Sequence, residues 1–383
     1  MKRMSFGLVL AAVVSGAVLT ASPSPQAASA AQGTSKPYAP PRTPWGDPDL
    51  QGKWPGIELV GVPMQRPANM GTRNVLTDEE FAARQANAAR QAALDNAEFE
   101  LENAANTPGG GVGGPVSPPP HWLERGTPQR IGSLIVDPPD GRTPPLTAEA
   151  QQRQQDAAAA RKAAPPRGPA DSYTDRSLYD RCISRGIAGS FLPVIYNNGN
   201  EIIQGPGYVA LINEMIHETR IVYLDGRQPV SPNLRMWLGS SRGRWEGNTL
   251  VVETTNIGSF APGIGVNGGG TRHTDQMKVT DRITRVADDR VIWQMTFDDP
   301  GTWTRPFTIE LPLERDDTYG MFEYACHEGN YAMFNILSGA RADDKAAAEA
   351  AARGEKPAPP AGRGGGGRGG GAGRGGGGGR GQN

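Results

Sequence analysis

The sequence has little of what would assign a function directly. Its 383 residues include two cysteines and four histidines, and the formal net charge is -1. A chain so close to neutral has no overall field that would draw it to nucleic acid or an acidic membrane, so no nucleic-acid partner is predicted. After the N-terminal segment there is no apolar run of about 18 residues, and no transmembrane segment is predicted once a signal is removed.

Several catalytic motifs are also missing. No G-x-S-x-G motif marks a serine nucleophile, and the Gly-rich loops lack the strand–loop–helix setting of a phosphate cradle. His327 begins H-E-G-N-Y, which does not match the H-E-x-x-H of helical zinc proteases. No cofactor and no metal are predicted. Ligation by His217, His327 and a carboxylate from separate strands stays open as an alternative.

Glycine and proline are abundant, with 52 and 34 residues, and mark segments that are not expected to form a core. They concentrate in the middle linkers and in the Gly/Arg-rich C-terminal tail. The tail is predicted to be disordered, and either contacts an acidic cell-surface polymer or is inert. The remainder, roughly 200 residues, is enough for one sizeable core.

The first 30 residues have the pattern of a signal peptide. Lys2 and Arg3 precede a short apolar stretch from Phe6 to Leu19, and Ala28-Ser29-Ala30 forms an A-x-A site. This pattern predicts export to the periplasm or the exterior, with cleavage after Ala30. The alternative is an uncleaved membrane anchor.

The prediction of export also affects how the two cysteines, Cys182 and Cys326, are interpreted. In an exported protein such a pair favours one disulfide. Two buried free thiols are the alternative.

Strand and turn patterns place the folded core in residues 179–341. Apolar and polar residues alternate, as in Val291, Trp293, Met295 and Phe297, and Gly- or Asp-rich turns separate the runs. Short strands are also predicted over 134–136, 235–238 and 321–326. We predict a mainly β fold, an antiparallel meander barrel or half-barrel of lipocalin-like shape with N-terminal wrapping segments and two surface helices.

The regions around this β domain are assigned by composition and capping signals. Residues 31–178 form a Pro/Gly-rich N-terminal region with helices at about 78–103 and 148–164, each preceded by a threonine cap. Trp45, Leu50 and Trp54 are expected to dock this region on the β domain. Residues 342–383 are predicted to hold a short helix and the disordered tail.

Several stretches carry a family resemblance: L-Y-D-R-C-I-S-R-G at 178–186, S-R-G-R-W-E-G-N-T-L-V-V-E-T-T-N at 241–256, and Y-A-C-H-E-G-N-Y at 324–331. On these stretches the chain resembles an uncharacterised family of exported bacterial proteins found in acidobacteria and proteobacteria. The resemblance implies export and a shared fold. It implies no reaction, because that family has no established activity.

Two histidines stand beside carboxylates near predicted strand ends. His217 precedes Glu218 and His327 precedes Glu328, and Glu246 lies in the hairpin turn. A histidine oriented by a carboxylate can act as a general acid or base near neutral pH. These five residues are the candidate catalytic set. The alternative for each histidine is a structural role, in a turn or beside the disulfide.

Aromatic and basic residues supply a second set. An arginine beside an aromatic ring near a turn can hold a carboxylate or a sugar hydroxyl. For Arg242 and Trp245 the alternative is a Trp plug at the barrel end with an arginine stacked on it. The predicted ligand-binding residues are Arg220, Arg242, Trp245, Tyr208, Trp293, Tyr324, Asn330 and Tyr331, with Trp237 as a further wall residue.

Three functions follow from these features. The first is an exported β-barrel protein that binds a small organic molecule of unknown identity. The second is a periplasmic lyase, isomerase or hydrolase that uses His/carboxylate acid–base chemistry. The third is a cell-surface structural or interaction protein that uses its tail. The sequence does not decide whether the protein is an enzyme.

Overall fold

A ten-stranded, mostly antiparallel sheet curls into a half-barrel and organises the chain. The computed structural model describes residues 38–97, 123–163 and 170–355, so the predicted signal peptide and Gly/Arg-rich tail lie outside it. The strands are β1 Gly52–Lys53, β2 Ile135–Asp137, β3 Asn200–Gly205, β4 Tyr208–Asn213, β5 Thr219–Tyr223, β6 Ser240–Glu246, β7 Thr249–Thr255, β8 Lys278–Ala287, β9 Arg290–Asp298 and β10 Phe307–Glu314. The mainly β prediction is confirmed.

The N-terminal region contributes both edges of this sheet. The spatial order is β1-β3-β4-β5-β6-β7-β8-β9-β10-β2. Gly52 in β1 pairs with Ile202, and Ile135 in β2 pairs with Ile309. The sequence predicted β2 as a short strand, but it predicted no strand at 52–53. The N-terminal region therefore does more than wrap the sheet, because it extends the hydrogen-bonded ladder at each edge.

The predicted hairpin is formed by β6 and β7. The two strands pair from Ser240↔Thr255 to Glu246↔Thr249, and Gly247 takes the turn with φ 62°. Glycine adopts this positive φ without the steric penalty of a Cβ atom. Apolar residues on one face of β7 are buried while Glu253 on the other face is exposed, as the alternation predicts.

The antiparallel meander is interrupted at one pair of strands, which the sequence did not predict. β5 and β6 run parallel, with Val222 opposite Ser241. Parallel neighbours need a long crossover, and residues 224–239 supply it without a helix. The strand predicted over 235–238 lies in this crossover and is reduced to one bridge between Met236 and Ile257.

The strand predicted over 321–326 is also not formed. Its backbone donors are satisfied by other groups, because the Phe322 N–H donates to Glu214 Oε1 and the Cys326 N–H donates to the Tyr324 carbonyl. Because these backbone N–H groups already have hydrogen-bond partners, they do not need the carbonyl groups of a neighbouring strand.

Within the three described ranges, four α-helices accompany the sheet: α1 Asp78–Ala97, α2 Ala148–Ala163, α3 Gly186–Gly189 and α4 Tyr331–Ala352. Thr77 and Glu80 form the predicted capping box of α1, and Thr147 caps α2. α4 begins well before the predicted position near 343, because Asn330 accepts a hydrogen bond from the Met333 N–H. Across the three described ranges, none of the helices has the length and apolarity needed to span a bilayer.

The inner face of the half-barrel is covered by side chains. Val291, Met295 and Phe297 point into the core from β9, and Leu50 and Trp54 of the N-terminal segment join the same apolar cluster. Leu50 and Trp54 are fully buried, whereas Trp45 stays 37% exposed. Two of the three predicted docking residues therefore enter the core.

Cys182 and Cys326 form the predicted disulfide, across a sequence separation of 144 residues. The bond joins the segment before α3 to the segment before α4. It brings the Y-D-R-C-I-S-R-G and Y-A-C-H-E-G-N-Y stretches together, although they are far apart in the chain.

Candidate functional site

The most unusual side chain in the described part of the chain is that of Arg185, which directly precedes α3. It is only 1% exposed, and its Nε, Nη1 and Nη2 atoms have no hydrogen-bond partner among the described residues. The guanidinium carbon lies 4.9 Å from the centre of the Tyr179 ring. Burial lowers the pKa of Arg185, while neighbouring tyrosines and Glu218 oppose that effect. A buried charge with no hydrogen bonds is strongly unfavourable, and such a group in a folded protein calls for an explanation.

Close glycine packing holds Arg185 in place. A Cβ atom on Gly189 would stand 2.5 Å from the backbone nitrogen of Gly268, and one on Gly186 would stand 3.0 Å from Pro262. Only glycine allows this approach of α3 to the 262–270 loop.

Three tyrosines surround the guanidinium. The Tyr179 hydroxyl lies 2.9 Å from that of Tyr196 and 3.2 Å from that of Tyr324, and all three side chains are half-buried. Burial raises the pKa of Tyr196 to about 12, and burial also raises the pKa of Tyr324. These two phenols are therefore neutral at physiological pH and can donate or accept hydrogen bonds. We call Arg185, Tyr179, Tyr196 and Tyr324 the arginine–tyrosine cluster.

Glu218 lies beside this cluster and is buried. Its carboxylate accepts short hydrogen bonds from the Ser184 and Ser190 hydroxyls. Desolvation raises the pKa of Glu218, and hydrogen bonds from the two serines and from the backbone at Arg185 and Gly186 oppose the rise. The carboxyl group is thus poised to hold a proton more readily than an exposed glutamate does.

Strained backbone adjoins these residues. Five non-glycine residues in the described ranges have positive φ, and four of them are Cys182, Asn197, Ile216 and His217. Asn197 follows Tyr196, and Ile216-His217 precede Glu218. A positive φ at a β-branched residue such as Ile216 (58°) is an outlier. Such conformations gather at functional sites, where the surrounding structure holds them.

The five predicted catalytic residues differ in their burial and in their neighbours. His217 is exposed between β4 and β5, with Nδ1 3.2 Å from the Tyr324 carbonyl. His327 and Glu328 are exposed in the turn after the disulfide. Glu246 lies on the exposed hairpin, where Arg282 and Arg244 hydrogen-bond to it and lower its pKa. Of the five, Glu218 alone is a buried carboxyl beside the arginine–tyrosine cluster.

Two of the predicted ligand-binding residues belong to a polar network in the core. Arg220 pairs with both carboxylate oxygens of Asp281, at 2.7 and 3.0 Å. Trp293 donates its Nε1–H to the same carboxylate at 2.8 Å. Both terminal nitrogens of Arg220 therefore have hydrogen-bond partners, whereas those of Arg185 have none among the described residues.

The other predicted ligand-binding residues lie around the hairpin and the start of α4. Arg242 donates to the carbonyls of Gln228 and Ser241, and Trp245 packs against the core. Asn330 donates to Cys182 Sγ as well as capping α4. Tyr208 and Tyr331 are exposed, and Trp237 packs edge-on against Phe260. Tyr324 alone of this set belongs to the arginine–tyrosine cluster.

Sequence reasoning missed three members of the cluster: Arg185, Tyr179 and Tyr196. A signal was present, since Tyr179 and Arg185 each lie three residues from Cys182 in the Y-D-R-C-I-S-R-G stretch. Among the described residues, no three histidine, cysteine, aspartate or glutamate side chains are grouped so that they could bind a metal ion.

No family model matches the chain, and no curated protein or solved structure shows significant similarity to it. The family resemblance of its motifs therefore stays a prediction. The functional assignment rests on the chemistry of the chain's own residues.

Proposed function

We propose that the protein is exported and binds a small organic molecule, which lies against Arg185 in the arginine–tyrosine cluster. The observation that carries this proposal is the set of three buried guanidinium nitrogens that have no hydrogen-bond partner in residues 38–97, 123–163 and 170–355. A ligand that accepts hydrogen bonds from them offsets the unfavourable burial of the charge. The signal-peptide pattern and the disulfide support export, because disulfides persist in oxidising compartments.

This site differs from the barrel interior expected from the sequence. The inner face is covered by core side chains, and the Arg220 guanidinium is paired with Asp281. The tyrosines of the cluster, in contrast, are half-buried and form its border with solvent.

Native mass spectrometry of the exported protein tests the proposal. We expect a non-covalent adduct of small mass on the wild type and its loss in Arg185→Gln. Arg242→Gln is the matched control, because Arg242 is also a predicted anchor but already donates to backbone carbonyls. An adduct that survives in Arg185→Gln and disappears in Arg242→Gln would place the ligand elsewhere and refute the proposal.

Acid–base catalysis at the same site is a second candidate, and Glu218 is the observation that favours it. A buried carboxyl with a raised pKa is suited to donate a proton to a bound substrate. In this version Glu218 replaces the predicted His217/His327 pair. The test is to incubate the isolated adduct molecule with wild type and with Glu218→Gln. Conversion by wild type alone supports an enzyme, and recovery of the unchanged molecule from both supports a binding protein.

A further inference from the structure

We infer that the ligand is a planar organic monoanion, a carboxylate, whose carboxyl group pairs edge-on with the Arg185 guanidinium. This inference rests on the proposed function and specifies the chemical class of its ligand.

The shape of the guanidinium group favours a carboxylate partner. The guanidinium carbon lies over the Tyr179 ring, 4.9 Å from the ring centre. A carboxylate in the guanidinium plane accepts two parallel hydrogen bonds, a bidentate arrangement for which arginine is suited.

The charge around the site favours one negative charge rather than two. Arg185 is the buried cation, and the buried Glu218 carboxyl interacts with it electrostatically. Of the two arginines nearby in the same segment, Arg176 pairs with Asp180 at 3.4 Å and Arg181 lies over the Tyr173 ring. A second negative charge on the ligand would lie near the buried Glu218 carboxyl, which disfavours a dianion in this low-dielectric setting.

The tyrosines complete the recognition of a carboxylate. The hydroxyls of Tyr179, Tyr196 and Tyr324 form one hydrogen-bonded group beside the guanidinium. Tyrosine hydroxyls can donate hydrogen bonds to carboxylate oxygens. Their rings provide an apolar wall for the body of the molecule, which favours an organic carboxylate over a small inorganic anion.

Isothermal titration calorimetry with three probes of similar size tests the inference. Benzoate is a planar monoanion, benzamide is its neutral counterpart, and phenyl phosphate carries a tetrahedral group of higher charge. The protein is unfolded, dialysed and refolded first to remove any bound molecule. We expect benzoate to bind at least about tenfold more tightly than benzamide, because hydrogen bonds between charged partners are the strong ones. We expect the same margin over phenyl phosphate, because its second negative charge would lie near the buried Glu218 carboxyl. Equal or tighter binding of phenyl phosphate or benzamide, or no benzoate binding at millimolar concentration, would overturn the inference.

Variants separate this inference from the proposed function. Arg185→Gln should weaken benzoate at least about tenfold, and Tyr324→Phe should weaken it about three- to tenfold through loss of one hydroxyl. Arg185→Lys keeps the charge but not the planar fork, so we expect it to lose the preference for benzoate over phenyl phosphate. If phenyl phosphate is preferred and Arg185→Gln abolishes its binding, the site stands and the carboxylate class fails. If Arg185→Gln leaves every probe unchanged, the site itself fails.

Discussion

Replacing Arg185 with methionine should raise the free energy of unfolding of the ligand-free protein, whereas the same replacement at Arg220 should lower it. Both arginines are at least nine-tenths buried, with 1% and 6% exposure. They differ in their partners, since Arg220 makes a bidentate ion pair with Asp281, whereas Arg185 has no hydrogen-bond partner in the part of the chain that the structure describes. Methionine keeps most of the side-chain volume in each case, so the contrast isolates the charge.

The expected changes in the free energy of unfolding follow from this difference in the partners of the two arginines. Replacing a buried charged group by a well-packed apolar one stabilises by about 1–4 kcal/mol where the charge is poorly compensated. Loss of the contact with the Tyr179 ring lowers the free energy of unfolding by about 0.5–1 kcal/mol and offsets part of this gain. The net expectation for Arg185→Met is a gain of about 0–3.5 kcal/mol in the free energy of unfolding. Arg220→Met leaves Asp281 buried and unpaired, which lowers the free energy of unfolding by about 3–5 kcal/mol.

Guanidinium chloride denaturation at neutral pH, followed by tryptophan fluorescence, measures both changes. The proteins must be stripped of ligand first, because a ligand bound only to the native state raises the apparent stability of wild type. If Arg185→Met loses 2 kcal/mol or more, about the cost of breaking a needed buried interaction, then Arg185 supports the fold and the reasoning is refuted.

Three further predictions concern the disulfide, the buried Glu218 carboxyl and the glycine contact beside the cluster. Replacing Cys182 and Cys326 together by serine should lower the free energy of unfolding by about 5 kcal/mol, from the chain-entropy relation for this 144-residue separation. Denaturation of the wild type with and without reductant measures the same effect, and coincident denaturation curves would contradict the prediction. The pKa of Glu218 is raised above its ordinary 4.5, so its contribution to stability is full below pH 4.5 and declines as pH rises through the folded value. Melting temperatures from pH 4 to 8 should thus fall less steeply with rising pH in Glu218→Gln than in wild type, and parallel profiles would show that this carboxyl does not titrate as inferred. Gly189→Ala should destabilise by about 1–3 kcal/mol, because its Cβ meets the backbone of Gly268 at 2.5 Å; an unchanged denaturation midpoint would show that the loop yields.

The sheet was largely predictable because its signals are local. Alternating burial in β9 and the glycine turn of the β6–β7 hairpin depend on neighbours in sequence, and both appear as predicted. Pairings between distant segments were not predictable. The parallel β5–β6 pair and the edge strand at 52–53 depend on where the chain returns in space, which periodicity does not encode.

The candidate site was predictable only in part for the same reason. Glu218, Tyr324 and the disulfide were named from the sequence, and they do meet around one buried group. The only sequence signal for that group, Arg185, is its spacing from Cys182, and most arginines are exposed or paired. Its segment packs on the 262–270 loop and is joined to the Tyr324 segment by the disulfide, and each of these is a contact between remote segments.

A crystal structure of the protein grown with benzoate is the most direct test of whether Arg185 binds a carboxylate. We expect density for a flat carboxylate in the plane of the Arg185 guanidinium, with both oxygens about 2.7–2.9 Å from its nitrogens. Movement of the half-buried tyrosines to admit the benzoate ring is compatible with this result. If Arg185 is hydrogen-bonded only to protein groups, and benzoate is absent or bound elsewhere, Arg185 is not the ligand-binding residue.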